Sequence, residues 1–230
     1  MSNPGMKIYC NPPRPDNALV ERLRDCRTAL LSDASNRMFA MDARIAARGS
    51  ARRICGPAVT VRSAIADNMA FHQAMLLAKP GDVIVADLGG DMNYSVAGAL
   101  MYTCAMARGI AGFVIDGCVR YIRELEQNNF PVFAAGVTPR GHYQCGPGEV
   151  NVPVQCGGVV VRPGDIIVGD EDGVVVVRPE DADSILTAMQ RVIDNEAEMT
   201  ALIKAGKWED SLIIRRMRKN MDEMKFEFIE

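Results

Sequence analysis

Between Gly109 and Leu125 the chain reads GIAGFVIDGCVRYIREL: an apolar run, a Gly-Cys-Val turn, an arginine and the start of a helix-like segment. An arginine emerging where a buried strand gives way to a helix offers a planar fork of N–H donors, and its natural partner is a carboxylate. Upstream, ADLGGDMNYSVAG also follows a strand-like run and opens a helix-like one. Free backbone N–H groups and the positive end of a helix coincide at such a point, which makes it an anion site. Only Gly89 and Gly90 are adjacent before Gly98, so the stretch is no GxGxxG fingerprint and no nucleotide cofactor is expected. Gly98 falls inside the helix expected from Asn93 to Gly109, where glycine costs ~1 kcal/mol against alanine; close approach of another backbone or of a ligand would account for it. Ligands of α/β sheets collect at the carboxyl edge of the strands. Arg120 and the Gly89–Gly98 segment are expected at that edge together, with a small carboxylic or α-keto acid as their ligand. The plainer readings are a surface ion pair for Arg120 and ligand-free turn glycines.

Two histidines, His72 and His142, stand far apart in sequence with no HxH or HExxH spacing, so a two-histidine metal site would need the fold to unite them. His72 reads as an ordinary helix residue; His142, in the glycine-rich TPRGHYQCGPG, is freer for acid–base work. No GxSxG or similar nucleophile signature occurs. With 48% hydrophobic and 24% charged residues and a net charge of −3, the 230-residue chain has an ordinary globular composition. No basic block is dense enough to follow a phosphate backbone, and no nucleic-acid partner is expected. The seven cysteines form no CxxC pair and are expected as reduced core residues of a cytoplasmic protein. No apolar run approaches the ~18 residues of a membrane span, and neither a signal peptide nor a membrane partner is expected.

The elements that must position these residues follow from periodicity and punctuation. Asp16 predicts an N-cap for one helix through NALVERLRDCRTALL. RRICGPAVTVRSA predicts a strand bent at Gly56-Pro57, NMAFHQAMLLAKPG a helix, DVIVADLGG a short strand and IAGFVID a second buried strand. Strand, helix, strand is a βαβ unit and implies a parallel pair. After Asn128 the pieces become short and β-like, Asp172-Gly173 marks a hairpin, and PEDADSILTAMQRVIDNEAEMTALIKAG predicts a long helix with Pro179 near its start and Gly206 past its end. The octamers PGDVIVAD and PGDIIVGD predict two turn-then-strand entries. The chain is expected to divide into an α/β domain with an N-terminal arm over 1–206 and a C-terminal helical extension over 207–230.

The ordered set GPAVTV…ADN, PGDVIVADLGGD, GALM…ARGIAGFVIDGCVR, FPVFAAG and CGGVVVRPGDIIVGDEDGVVVV resembles the RraA-like family over roughly Asp16 to Gly206. That family includes 4-hydroxy-4-methyl-2-oxoglutarate aldolases with oxaloacetate decarboxylase activity and the regulator of ribonuclease E activity. The resemblance implies an α/β fold like the swivelling phosphohistidine domain, with mixed sheets, in homotrimers or homohexamers with sites between subunits. It also implies a divalent metal, Mg²⁺ or Mn²⁺, polarising the keto group of a pyruvate-like moiety. Carried over by position, Asn68, the amides of Gly98, Ala99, Leu100 and Met101, and Arg120 would bind substrate, and Glu196 of a neighbouring subunit would order water.

Two positions depart from the family. Tyr121 stands where the aldolases have a metal-ligating aspartate, and Ala99 where they have an acidic residue near the metal-bound water. A phenol, ordinarily protonated near neutrality, is a poor ligand for a hard cation. Asp116, Asp91 and Glu124 are the nearby acids that could substitute, although Glu124 reads equally as an ion-pair partner of Arg120 or Arg123. The leading expectation is a lyase of the aldolase or decarboxylase type with an altered metal site. There Arg120, Glu196 and Tyr121 do the chemistry, Tyr121 as a hydrogen-bond donor to an enolate. The alternatives are a non-catalytic protein-binding regulator and a metal-independent isomerase or hydratase.

Overall fold

The computed structural model describes residues 3–229. In chain order its elements are α1 (Asn17–Leu23), α2 (Thr28–Ala34), β1 (Ala46–Ala47), β2 (Ile54–Ser63), α3 (Met69–Leu77), β3 (Val83–Ala97), α4 (Ala99–Ala107), β4 (Gly112–Val119), α5 (Ile122–Asn128), β5 (Val132–Val137), β6 (Gly148–Val150), β7 (Val154–Cys156), β8 (Val159–Val161), β9 (Ile166–Asp170), β10 (Gly173–Val177), α6 (Ala182–Lys204) and α7 (Leu212–Glu223). Strands β2, β3, β4 and β5 are consecutive parallel neighbours linked by α3, α4 and α5, so the expected βαβ unit extends to three parallel pairs. The eight-stranded sheet runs β1-β5-β4-β3-β2-β9-β10, with β6 also on β2. β4 is buried along its whole length, as an apolar strand covered on both faces must be. Phe71, Tyr102, Phe113 and Phe130 pack under the helices on one side, and Ile54, Val85, Phe133, Cys156 and Val176 fill the other.

Strand β2 changes partner in its middle. Ile54–Pro57 pair antiparallel with β9, and from Ala58 onward the strand runs parallel to β3. Gly56-Pro57 lies at this switch, inside a continuous strand. A Cβ on Gly56 would stand 2.0 Å from the Gly81 carbonyl oxygen. Gly56→Ala must therefore push two backbones apart, and it should lower stability by about 1–3 kcal/mol or more, read as a fall in the urea midpoint; an unchanged midpoint would mean the two backbones are not in close contact.

The paired octamers share a local device. Asp82 and Asp165 are both buried, and their carboxylates accept the amides of Lys79 (2.8 Å) and Arg162 (2.7 Å), with Gly81 and Gly164 at φ +88° and +86°. The turn chemistry repeats, while the strands pair differently. The hairpin closes through Glu171 and Asp172, with Gly173 opposite Asp170.

Three expectations are corrected. The single helix after Asp16 is two, although Asp16 does cap the first by accepting the Ala18 amide. The Thr28 amide and hydroxyl donate to the buried carboxylate of Asp170, which anchors α2 to the distant hairpin and sets its start. The helix expected from Asn93 begins only at Ala99, because β3 continues as a bulged strand to Ala97. Asp91 takes the Asn93 and Tyr94 amides in a turn of its own, and the Ser95 amide and hydroxyl both donate to the Arg140 carbonyl at 2.8 Å. Of the cysteines, only Cys55, Cys118 and Cys156 are core residues; Cys10, Cys104 and Cys145 are exposed and Cys26 is intermediate. Among the described residues no helix is long and apolar enough to cross a membrane.

Candidate functional site

The carboxyl ends of β3 and β4 lead into a cavity of about 520 Å³ lined by His72, Gly98 to Met101, Arg120, Tyr121, His142 and Gln144. Gly98 is the N-cap of α4, with extended backbone, and not a helix-interior residue. The reason for glycine is a side chain: a Cβ there would meet Tyr121 Cδ2 at 2.9 Å and Arg120 Cγ at 3.5 Å. Tyr121 sits in the left-handed region (φ 63°, ψ 51°) between β4 and α5. Such a conformation costs a non-glycine residue of order 1–3 kcal/mol. Its neighbours hold it there: the Tyr102 hydroxyl donates to the Arg120 carbonyl at 2.8 Å, and the Arg120 amide donates to the Ala97 carbonyl at 3.1 Å. At 48% exposure the Tyr121 phenol is open to the cavity.

Arg120 makes no ion pair among the described residues. Its guanidinium lies 5.2 Å from the Tyr121 ring centroid and passes beside Gly141, and its Nε–H is buried without an acceptor among the described residues. A buried unpaired donor costs about 1–3 kcal/mol, and a ligand oxygen would remove that cost. At the start of α4 the Met101 and Tyr102 amides both donate to the Gly98 carbonyl, so the donors left for a ligand are those of Gly98, Ala99 and Leu100. Leu100 is 87% exposed at the rim.

Asn68 is fully buried behind the cavity wall. Its Nδ2 donates to the Val96 carbonyl (3.0 Å) and lies 3.3 Å from His72 Nε2 and 3.6 Å from Met101 Sδ, while its Oδ1 has no partner among the described residues. Asn68 thereby ties the end of β3 to α3. Its neighbour Asp67 accepts the amides of Met69, Cys145 and Gly146, which fastens the loop carrying His142 to the start of α3. His142 Nδ1 lies 3.2 Å from the Ser95 carbonyl. The two histidines, remote in sequence, thus line one cavity. Burial lowers the pKa of both; for His142 the Arg120 and His72 charges add to this, while the Ser95 hydrogen bond and the Asp67 charge work against it. His72 was legible as a site residue only through its i,i+4 spacing from Asn68, which puts both on one helix face; nothing in sequence tied His142 or Gln144 to it.

Glu196 is not brought to this cavity within the chain. It is exposed on α6, in a second concavity shared with Asp33, Arg37, Val192 and Leu212. The three acids that might replace the family's carboxylates are placed otherwise. Asp116 is buried and held by the Arg44 guanidinium and the Gly157 amide (2.9 Å). Asp91 serves its own turn. Glu124 is half-buried and forms no ion pair with Arg120 or Arg123 among the described residues. No three His, Cys, Asp or Glu side chains converge among the described residues. Among the described residues the cavity wall offers imidazole, amide and phenol beside a fixed guanidinium charge, and no carboxylate. That donor set does not fit Mg²⁺ or Mn²⁺, which favour oxygen ligands that include carboxylates.

Fold and site together define an α/β protein in which a guanidinium and a phenol at the end of β4 meet two imidazoles, one from α3 and one from the loop after β5, in one cavity at the carboxyl edge of the parallel strands. The family model described as RraA-like, Aldolase/RraA, matches residues 28–176, and the chain belongs to the RraA-like family. It is 40% identical over 144 residues, 63% of this chain and 69% of the relative, to a protein of Halalkalibacterium halodurans named "Putative 4-hydroxy-4-methyl-2-oxoglutarate aldolase". Among solved structures it is similar to the RNA-processing inhibitor RraA from Thermus thermophilis, with TM-score 0.62 and 30% identity over 67% of this chain and 93% of that one. It is also similar to Streptomyces coelicolor RraAS2, described as an unusual member of the RNase ES inhibitor RraA protein family, with TM-score 0.70 and 26% identity over 83% and 98% of the two chains.

Proposed function

We propose that this chain is a carbon–carbon lyase of the aldolase or decarboxylase type acting on a small keto or hydroxy acid with a pyruvate-like moiety. The observation that carries the reading is Arg120, a cation facing the cavity that has, among the described residues, no carboxylate partner and a buried Nε–H left unpaired. Its fork would take the substrate carboxylate, and the amides of Gly98, Ala99 and Leu100 would hold the neighbouring oxygen. The Tyr121 hydroxyl would donate to the enolate oxygen that develops as the carbon–carbon bond breaks. Glu196 would reach this cavity from a second subunit of a homotrimer or homohexamer and order water there. Names such as that of the Halalkalibacterium relative support the lyase class.

A second reading, a protein-binding regulator, is favoured by the absence of carboxylates from the cavity wall and by the inhibitor names of the two structural relatives. Pyruvate release from 4-hydroxy-4-methyl-2-oxoglutarate and from oxaloacetate, measured with Mg²⁺, with Mn²⁺ and with EDTA, separates the two. Release that survives EDTA is the expected result. Release that requires the metal would mean that carboxylates from another subunit rebuild the family site, and no release from any small keto acid would leave the regulator reading.

A further inference from the structure

Each imidazole in the cavity has two nitrogens, and the neighbours dictate which one is free. A carbonyl can only accept, so the Val96 carbonyl fixes Asn68 Nδ2 as the donor end of that amide, which leaves one hydrogen for His72 Nε2 at 3.3 Å and Met101 Sδ at 3.6 Å. His72 Nε2 is thereby engaged within the wall. For His142 the Ser95 carbonyl fixes the proton on Nδ1. The lone pair is then on Nε2, which has no partner among the described residues and borders the same cavity as Arg120 and Tyr121. The loop that carries it is anchored at Asp67, as described above, so the ring is positioned from both sides.

On the lyase reading above, we infer that His142 is the proton carrier of this cavity, acting through Nε2 on a 4-hydroxy-2-oxo acid. In the cleavage step the C3–C4 bond breaks and its electron pair enters the pyruvate enolate. C4–O becomes a carbonyl as the hydroxyl proton passes to Nε2. The imidazolium then returns that proton to C3, giving pyruvate and a second carbonyl compound with no external oxidant, reductant or acid. The groups facing His142 suit this exchange. Arg120 at the end of β4 and His72 on α3 disfavour the imidazolium, whereas Asp67 and the Ser95 carbonyl favour it, and with burial the balance keeps the resting ring neutral. A neutral ring at rest is a base, and a destabilised imidazolium is a ready acid.

His142→Asn is the discriminating variant, because the asparagine amide keeps a donor for the Ser95 carbonyl and removes the Nε2 lone pair. Its turnover should fall by about 100-fold or more with an unchanged melting temperature. Exchange of the pyruvate methyl protons in D₂O, followed by NMR, should fall in parallel. In the wild-type protein both activities should be lost as pH drops through a value below 6.5, since protonation removes the base, and this acid limb should be missing from the variant's residual activity. Retention by His142→Asn of turnover, exchange and acid limb would overturn the assignment while leaving the lyase intact. Should the variant not fold, wild-type exchange without an acid limb would overturn it equally. A wild-type protein with neither pyruvate release nor exchange would remove this role and the lyase reading together.

Discussion

Arg120→Ala should reduce kcat/KM for pyruvate release by roughly 30-fold to several thousand-fold, the equivalent of about 2–5 kcal/mol for removing one partner of a desolvated charge pair. The loss should fall on binding and rate together, because the guanidinium holds the carboxylate in the ground state and beside the developing enolate alike. Stability should be almost untouched. Among the described residues the Arg120 side chain makes no ion pair, and truncation removes a buried Nε–H that lacks an acceptor there. Arg120→Lys keeps the charge but not the fork, and a lysine cannot reproduce a planar contact 5.2 Å from the Tyr121 ring; its activity should fall between the two. Binding of pyruvate or oxalate by calorimetry provides the independent check. Equal affinity in wild type and Arg120→Ala would take Arg120 out of the site.

Tyr121→Phe should lower kcat by about 100- to 1,000-fold while leaving KM within a few-fold, the pattern for a donor aimed at charge that appears only in the transition state. Phenylalanine keeps the ring that lies against Gly98 and beneath the Arg120 guanidinium, so the turn and the substrate cation stay in place. Circular dichroism and the melting temperature should match the wild type. If kcat is unchanged, the phenol is only a packing element and enolate stabilisation must come from elsewhere, with a subunit-borne carboxylate and metal the first alternative.

Much of this arrangement was written locally in the chain. The alternation of β-branched runs with helical periods dictated parallel strands under helices. Parallel strands in turn dictated that the residues following DVIVAD and GFVID emerge at one edge, which brings Gly98 and Arg120 together. Asp16, Pro179 and Gly206 marked helix ends through caps that depend only on near neighbours. Tyr121 and Ala99 were legible as departures from the family pattern for the same reason, since the identity of a side chain needs no fold to be read.

What escaped the sequence depended on partners far along the chain. The helix expected at Asn93 lost to strand because the Arg140 carbonyl, 45 positions away, takes the Ser95 amide and hydroxyl. Thr28 starts a second helix because Asp170, 142 positions on, accepts its amide and hydroxyl. Gly98 is small for the Tyr121 ring, a contact that arises only when two strand ends meet. By itself the sequence determined the fold class, the edge at which the cavity lies and the cation placed there, because periodicity, turn chemistry and residue type are properties of short segments. Only the tertiary structure decided where α4 begins, that His72 and His142 share one cavity, and which imidazole nitrogen is left free, because those are set by hydrogen bonds between segments whose separation no local pattern encodes.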